Sequence, residues 1–131
     1  MTFRLRRHVL SLALAAMAAG TACQSVQQQA LEHARAAVGG DAARGAQLIQ
    51  RCGCGGCHRI SGIPGAAGRS APSLEHLSAE PYISGNLANS PENVIRWIRF
   101  PHSILHRTKM PDYALSAADA RDITTYLWSL P

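Results

Sequence analysis

Aromatic residues are scarce in this sequence, at 5% of its 131 residues, and no second pair of cysteines follows the one short cluster that it contains. A single domain of this size with few large side chains has little core of its own, so a covalent staple or a cofactor is expected to complete it. Strong charge is also lacking. Three of the 13 Lys and Arg residues lie before Cys23, so ten remain after it against 8 Asp and Glu. This balance gives no strongly basic face and argues against a nucleic-acid partner.

Long hydrophobic runs are absent beyond residue 22. The chain opens with the basic stretch MTFRLRRH, and 14 apolar or small residues follow at 9–22. A membrane-spanning helix needs about 20 apolar residues, so this run is short for a span. The pattern predicts a signal peptide over residues 1–22, with an uncleaved N-terminal anchor as the alternative. Export to the bacterial periplasm would place the cysteines in an oxidising compartment.

The residues after this run predict a linker, 23–40, that starts at a cysteine. Thr21, Ala22 and Cys23 resemble the processing site of bacterial lipoproteins, at which the cysteine becomes a lipid-carrying N-terminus. Gly20 stands where that motif usually has leucine, and ordinary cleavage after Ala22 agrees with the sequence equally well. The segment that follows is polar, rich in Gln and Ala, and ends in two glycines. We expect it to be flexible or transiently helical, and to tether the domain to the membrane if Cys23 is lipidated.

The domain itself, 41–131, shows helical patterns without convincing strand alternation, so an all-α fold is expected. Asp41 can cap a first helix over 43–52, which Gly53 would end. Gly45 lies inside this helix, where it costs roughly 1 kcal/mol relative to alanine. A close approach by another backbone would explain it.

Two further helices complete the predicted architecture. Ser90 can cap a helix over 93–100, and Ser116 with Asp119 forms a capping box for a helix over 117–130. Long loops rich in Gly, Pro and Ser join the three main helices. Loops of this length in a small domain usually wrap around something, and the helices carry too little apolar surface to fill the middle.

Residues 52–60, CGCGGCHRI, indicate what fills the middle of the domain. Structural zinc commonly uses two short ligand pairs far apart, and a thioredoxin-like dithiol lies in a βαβ pattern; neither is present. Cys54, Cys57 and His58 form CxxCH, the attachment motif of c-type haem. Two thiols three residues apart can add to the two vinyl groups, while the adjacent imidazole reaches the iron. One covalent haem c is therefore the predicted cofactor. Cys52 is extra and is expected to act as a small buried hydrophobe.

The second axial ligand is predicted from one residue. Met110 is the only methionine after residue 22, and it lies in the polar loop TKMPDY, where core packing is a poor explanation. A thioether suits low-spin iron and raises its reduction potential. The competing candidates are His76, His102 and His106, whose ordinary interpretation is surface solvation.

From Asp41 to Pro131 the chain resembles the class I, monohaem cytochromes c of bacteria. The resemblance rests on a glycine-containing helix before CxxCH, a loop similar to G-P-x-L at residues 71–74, the methionine-proline loop and a terminal helix with an aromatic residue. It implies a small cytochrome c fold, with three main helices and long loops wrapped around the haem.

The resemblance also implies roles for individual residues. Cys54 and Cys57 would carry the thioethers, with His58 and Met110 as axial ligands. The Pro72 carbonyl would accept the His58 ring N–H, although Ala71 replaces the usual glycine before it.

Four further positions carry expectations. Gly45 and Tyr126 would meet where the first and last helices cross. Trp97 would donate to a haem propionate, with plain core packing as its alternative. Ile49 replaces a usual aromatic.

Two protein ligands close the iron, so the expected role is an electron carrier rather than an enzyme. The alternatives are a small peroxidase or a gas sensor with a labile Met110. Expected partners are redox proteins: an oxidase, a bc-type complex or a dehydrogenase. Arg107 and Lys109 flank Met110 and are expected to steer an acidic partner surface.

Overall fold

The computed structural model describes residues 25–131, and within them the fold is all-α, as predicted. The helices are α1 (residues 25–38), α2 (Ala42–Arg51), α3 (Pro91–Arg99), α4 (Pro101–Ile104) and α5 (Ala117–Trp128). Two 3₁₀ turns, Cys54–Gly56 and Leu77–Ala79, lie in the first long loop, and α4 is a short turn after α3. The three main helices predicted from the sequence are thus α2, α3 and α5.

The N-terminal ends of α2, α3 and α5 are capped by the residues that indicated them in the sequence. The Asp41 carboxylate accepts from the backbone N–H groups of Ala43 and Arg44. Ser90 accepts from the N–H of Asn93. Ser116 and Asp119 form the full capping box, in which each side chain accepts from the other residue's backbone. Such side chains satisfy donors that have no partner within the helix.

Helices α2 and α5 cross in direct backbone contact at Gly45. A Cβ built on Gly45 would lie 2.1 Å from the Asp122 carbonyl oxygen, so only glycine allows this approach. The three atoms nearest to this position belong to Asp122 and Ile123, whereas the expectation named Tyr126. Its ring lies one turn further along α5, where its hydroxyl donates to the Ser61 carbonyl at 2.7 Å.

Charged groups surround the same crossing. The Arg44 guanidinium on α2 pairs with Asp119 and with the buried Asp122, both on α5. The second carboxylate also accepts from the backbone N–H of Asp41 at 2.8 Å. Burial of a carboxylate is tolerated here because an opposite charge and a backbone donor satisfy it.

Residues 25–38 belong to the segment that was expected to be flexible or transiently helical. They form a helix, and Leu31, Ala34 and Val38 share one face of it at helical spacing, with Ala34 and Val38 buried. The turn after the helix lies on α5, because the Gly40 N–H donates to the Thr125 hydroxyl at 3.1 Å. The weak apolar stripe was too short to predict this from sequence. Residues 1–22 and Cys23, with the signal peptide and the lipidation site, lie outside the described residues.

A small antiparallel hairpin, Tyr82–Ile83 with Leu87–Ala88, occupies the loop before α3 and was not predicted. Asn89 closes its base, because its side-chain NH₂ group donates to the carbonyls of Leu77 and Glu80 at 2.6 and 2.7 Å. None of the helices in residues 25–131 has the length and apolar content needed to cross a membrane.

Candidate haem site

The CxxCH motif forms one tight turn immediately after α2. Gly53 adopts a left-handed conformation (φ 67°) that ends the helix, and a 3₁₀ turn follows from Cys54 to Gly56. The backbone N–H groups of Cys57 and His58 both donate to the Cys54 carbonyl, at 3.2 and 3.0 Å. The two thiols and the imidazole therefore come from the same turn.

The thiols differ in exposure. Cys57 is exposed, whereas Cys54 is half-buried and not in a disulfide. Burial raises the pKa of the Cys54 thiol to about 11. In the chain without haem this cysteine is therefore a protonated thiol at neutral pH. Cys52 is only half-buried, at the C-cap of α2, and burial raises its thiol pKa as well.

A loop crosses this turn closely, and the crossing depends on a glycine that sequence reasoning missed. A Cβ on Gly68 would lie 2.4 Å from the Cys57 carbonyl carbon. The Gly68 N–H also donates to the Gly55 carbonyl at 3.0 Å. A glycine between arginine and alanine in a glycine-rich loop carries no signal that separates this one from its neighbours.

The imidazole of His58 is oriented by the contact expected at Pro72. His58 Nδ1 lies 2.7 Å from the Pro72 carbonyl oxygen. A carbonyl can only accept, so Nδ1 carries the proton and Nε2 keeps its lone pair. A histidine fixed in this tautomer is prepared to bind a metal through Nε2.

His58 and Met110 line the same cavity, which has a volume of about 590 Å³. Both residues also line a second cavity of about 40 Å³, together with Cys54. Met110 is half-buried, and its backbone N–H donates to the Thr108 hydroxyl at 3.1 Å. An imidazole nitrogen and a thioether sulfur, brought to one cavity from two separate loops, are a donor pair suited to haem iron.

The rest of the larger cavity is mostly apolar. Trp97 lines it, half-buried on α3, and the aliphatic part of the wall comes from the first long loop and from helices α3 and α5: Leu74, Leu77, Ile83, Val94, Ile98 and Leu127. These residues fit a flat apolar cofactor, and they correspond to the missing core inferred from the scarcity of aromatic residues.

The competing histidines lie elsewhere. His76 and His106 are exposed, and His102 Nδ1 lies 3.1 Å from an Asp112 carboxylate oxygen. None of the three lines either cavity. Among the histidines considered from the sequence, only His58 is brought to the cavity.

Comparison with known proteins identifies the family. The family model of cytochrome c matches residues 42–131. The chain belongs to the cytochrome c family. Members of this family are haem-based electron carriers, and the cofactor is covalently bound haem c.

Two curated relatives are similar to the chain over most of its length. It is 36% identical over 88 residues to cytochrome c oxidase subunit 2 of Alkalihalophilus pseudofirmus, an alignment that covers 66% of this cytochrome and 25% of that subunit. It is 31% identical over 94 residues to cytochrome c-552 of Bradyrhizobium diazoefficiens, covering 72% of this cytochrome and 79% of the relative. The cytochrome thus spans about a quarter of the oxidase subunit and most of cytochrome c-552. No solved structure gives a significant match.

Proposed function

We propose that this cytochrome carries single electrons between redox proteins outside the cytoplasm, with Cys54 and Cys57 holding the haem and His58 and Met110 as axial ligands. The observation that supports this most directly is the pair of donors on one cavity, with His58 already fixed in the tautomer that leaves Nε2 free. The haem supplies a reversible one-electron change at its iron.

The protein's own residues determine how that iron is used. With His58 and Met110 both bound, no coordination position is open to substrate, which favours electron transfer over peroxidase or gas-sensing chemistry. The apolar wall keeps water from the cofactor and so raises the reduction potential. Trp97 lines the cavity, and its indole N–H would donate to a haem propionate.

The ligation can be tested by spectroscopy of the holoprotein. Denatured protein should keep its haem on a gel, and the ferric form should show the weak long-wavelength band of iron–sulfur bonding. Met110→Ala should abolish that band and lower the potential. His106→Ala is the matched control, because His106 lies in the same loop but outside the cavity. A band that survives Met110→Ala would refute the assignment, and rapid peroxide turnover by the wild type would favour the enzyme.

We propose a membrane-bound terminal oxidase as the electron acceptor, since one relative is an oxidase subunit. The docking surface would be the segment from Phe100 to Lys109. Phe100 and Leu105 are exposed apolar residues there, and Arg107 and Lys109 are exposed cations beside Met110. An apolar centre with basic neighbours suits an acidic partner that must approach the haem edge.

Charge reversal tests this surface. Reversing Arg107 and Lys109 together should slow oxidation of the reduced cytochrome by oxidase-containing membranes, and remove most of the salt dependence of the rate. Arg35 and Arg121, reversed together, provide the same charge change on helices α1 and α5, and neither lines the cavity. Equal rates for the two double variants would exclude docking at Arg107 and Lys109.

We further propose that the protein is exported and tethered through a lipid on Cys23. Because residues 25–38 are helical, this part of the tether would be about 21 Å long, at 1.5 Å per residue. Mass spectrometry of the mature N-terminus tests this. A diacylglyceryl adduct on Cys23 is expected, whereas an unmodified Cys23 would mean a freely diffusing periplasmic carrier.

A further inference from the structure

The Glu75 carboxylate joins two stretches of the first long loop. It accepts from the Ser61 hydroxyl at 2.7 Å and from the Ser73 hydroxyl at 3.3 Å, and it pairs with the Arg59 guanidinium at 2.8 Å. We call these four residues the Glu75 clamp. Arg59 follows the CxxCH motif directly, and Ser73 follows Pro72 directly, so the clamp ties together the segments that carry His58 and its hydrogen-bond partner.

Backbone hydrogen bonds run beside the clamp on the same two segments. The Ala71 N–H donates to the Cys57 carbonyl at 3.1 Å, and the Leu74 N–H donates to the Arg59 carbonyl at 3.0 Å. Pro72 lies between these two donors and has no N–H of its own. The position of its carbonyl is therefore set by its neighbours, and the clamp is the side-chain part of that support.

The clamp is also connected to helix α5. The Ser61 carbonyl accepts from the Tyr126 hydroxyl at 2.7 Å, while the Ser61 hydroxyl donates to Glu75. A continuous path of contacts thus runs from α5 through Ser61 and Glu75 to the loop at Pro72. The hydrogen bond with Ser61, followed by the charge of Arg59, lowers the pKa of Glu75, so the carboxylate is ionised at neutral pH.

The clamp is better suited to fixing geometry than to stabilising the fold. Arg59 is largely exposed, and exposed ion pairs contribute little to stability. The His58 hydrogen bond is different, because its strength depends steeply on the placement of one acceptor atom. A small shift of the Pro72 carbonyl would weaken the bond that makes the imidazole electron-rich.

We propose that Glu75 is a positioning residue that tunes the reduction potential by holding the Pro72 carbonyl against His58 Nδ1. This inference rests on the proposed ligation of the iron by His58. Loosening the clamp should make the imidazole a weaker donor, destabilise the ferric state and raise the potential. A weakened hydrogen bond corresponds to roughly a threefold change in the ferric–ferrous equilibrium. For a one-electron couple that is about 28 mV, since a tenfold change is 59 mV.

Three holoprotein variants separate positioning from charge. Glu75→Gln removes a negative charge, Arg59→Gln removes a positive charge, and Ser61→Ala leaves the charge unchanged. Positioning predicts that all three raise the potential. A pure charge effect predicts a rise in the first, a fall in the second and no change in the third. The last pattern would overturn the proposal.

Two further measurements complete the test. Glu80→Gln removes a carboxylate that lines the larger cavity and does not belong to the clamp. Its reduction potential therefore shows how much the loss of one nearby negative charge changes the potential. Proton NMR of the reduced protein should show the His58 Nδ1 proton exchanging several-fold faster in Ser61→Ala than in Glu80→Gln. A wild-type proton without the ring-current shift of an axial imidazole would refute the ligation itself. A shifted proton with unaltered exchange in Ser61→Ala would refute only the clamp.

Discussion

Replacing Gly45 by alanine should destabilise the protein, although alanine is the better helix former. The added Cβ would lie 2.1 Å from the Asp122 carbonyl oxygen and 2.6 Å from its carbonyl carbon, where ordinary contact begins at 3.4 Å. Helices α2 and α5 must therefore separate by about 1.3 Å at their crossing. The obstacle is backbone in the middle of a helix, so no side-chain rotation can relieve it.

The magnitude follows from two opposing effects. Overpacking a well-packed contact costs typically 1–3 kcal/mol, and a backbone obstacle belongs at the upper end of that range. Alanine improves helix propensity by about 1 kcal/mol. The net loss is about 2 kcal/mol, which lowers Tm by roughly 8–16 °C in a domain of this size.

Thermal unfolding of the holoprotein, followed by circular dichroism, measures this loss. Ala43→Gly is the matched control, because Ala43 is exposed on the same helix and the change tests propensity alone. It should cost no more than about 1 kcal/mol, because Ala43 lies in the first turn of α2. If Gly45→Ala proves as stable as the wild type or more so, the inferred backbone contact is wrong.

Three other changes probe the same region of the fold. Ser116→Ala removes the N-cap of α5 and should cost about 1 kcal/mol in chemical denaturation, with Ser116→Gly costing less. Tyr126→Phe deletes the hydroxyl that donates to Ser61 and should cost about 0.5–1.5 kcal/mol by the same assay, with the haem spectrum unchanged. The pKa of Asp119 is lowered, first by the Ser116 hydroxyl and then by Arg44, so its contribution is complete above its ordinary value and is lost as the pH falls through the lowered one. Acid titration of unfolding should therefore be less steep in Asp119→Asn than in the wild type.

Local signals in the sequence predicted the helices well. Asp41, Ser90 and Ser116 cap the helices that they were expected to cap. An N-cap side chain accepts from backbone N–H groups within the next three residues, so the residues that determine it are adjacent in the sequence. The mid-helix Gly45 was also informative. Its cost in a helix has to be offset by a contact, and the contact is the α5 backbone.

Contacts between residues that are far apart in the sequence could not be predicted from such local signals. Asp122 looks like an ordinary surface acid on a polar turn of α5, yet it is buried against Arg44 and the N–H of Asp41. Glu75 has no local pattern that distinguishes it from a solvated loop residue. The main partners of both lie 14 or more positions away, and only the folded chain brings those partners together.

The two loops around the cavity are supported very differently, and this bears on how the proposed ligation would fail. On the His58 side the supports reach across the fold: backbone bonds join Ala71 to Cys57 and Leu74 to Arg59, and the Glu75 clamp continues to α5.

On the Met110 side the hydrogen bonds nearest to Met110 are local or exposed. The Met110 N–H binds the hydroxyl of Thr108 two residues away, and the Asp112 carboxylate meets His102 at the surface. Segments held by few buried contacts open at lower free energy than the rest of a domain. Loss of the thioether should therefore precede loss of the imidazole. An open iron, as peroxidase or gas-sensing chemistry requires, would then be a property of the partly opened protein, whereas the closed protein is suited to electron transfer.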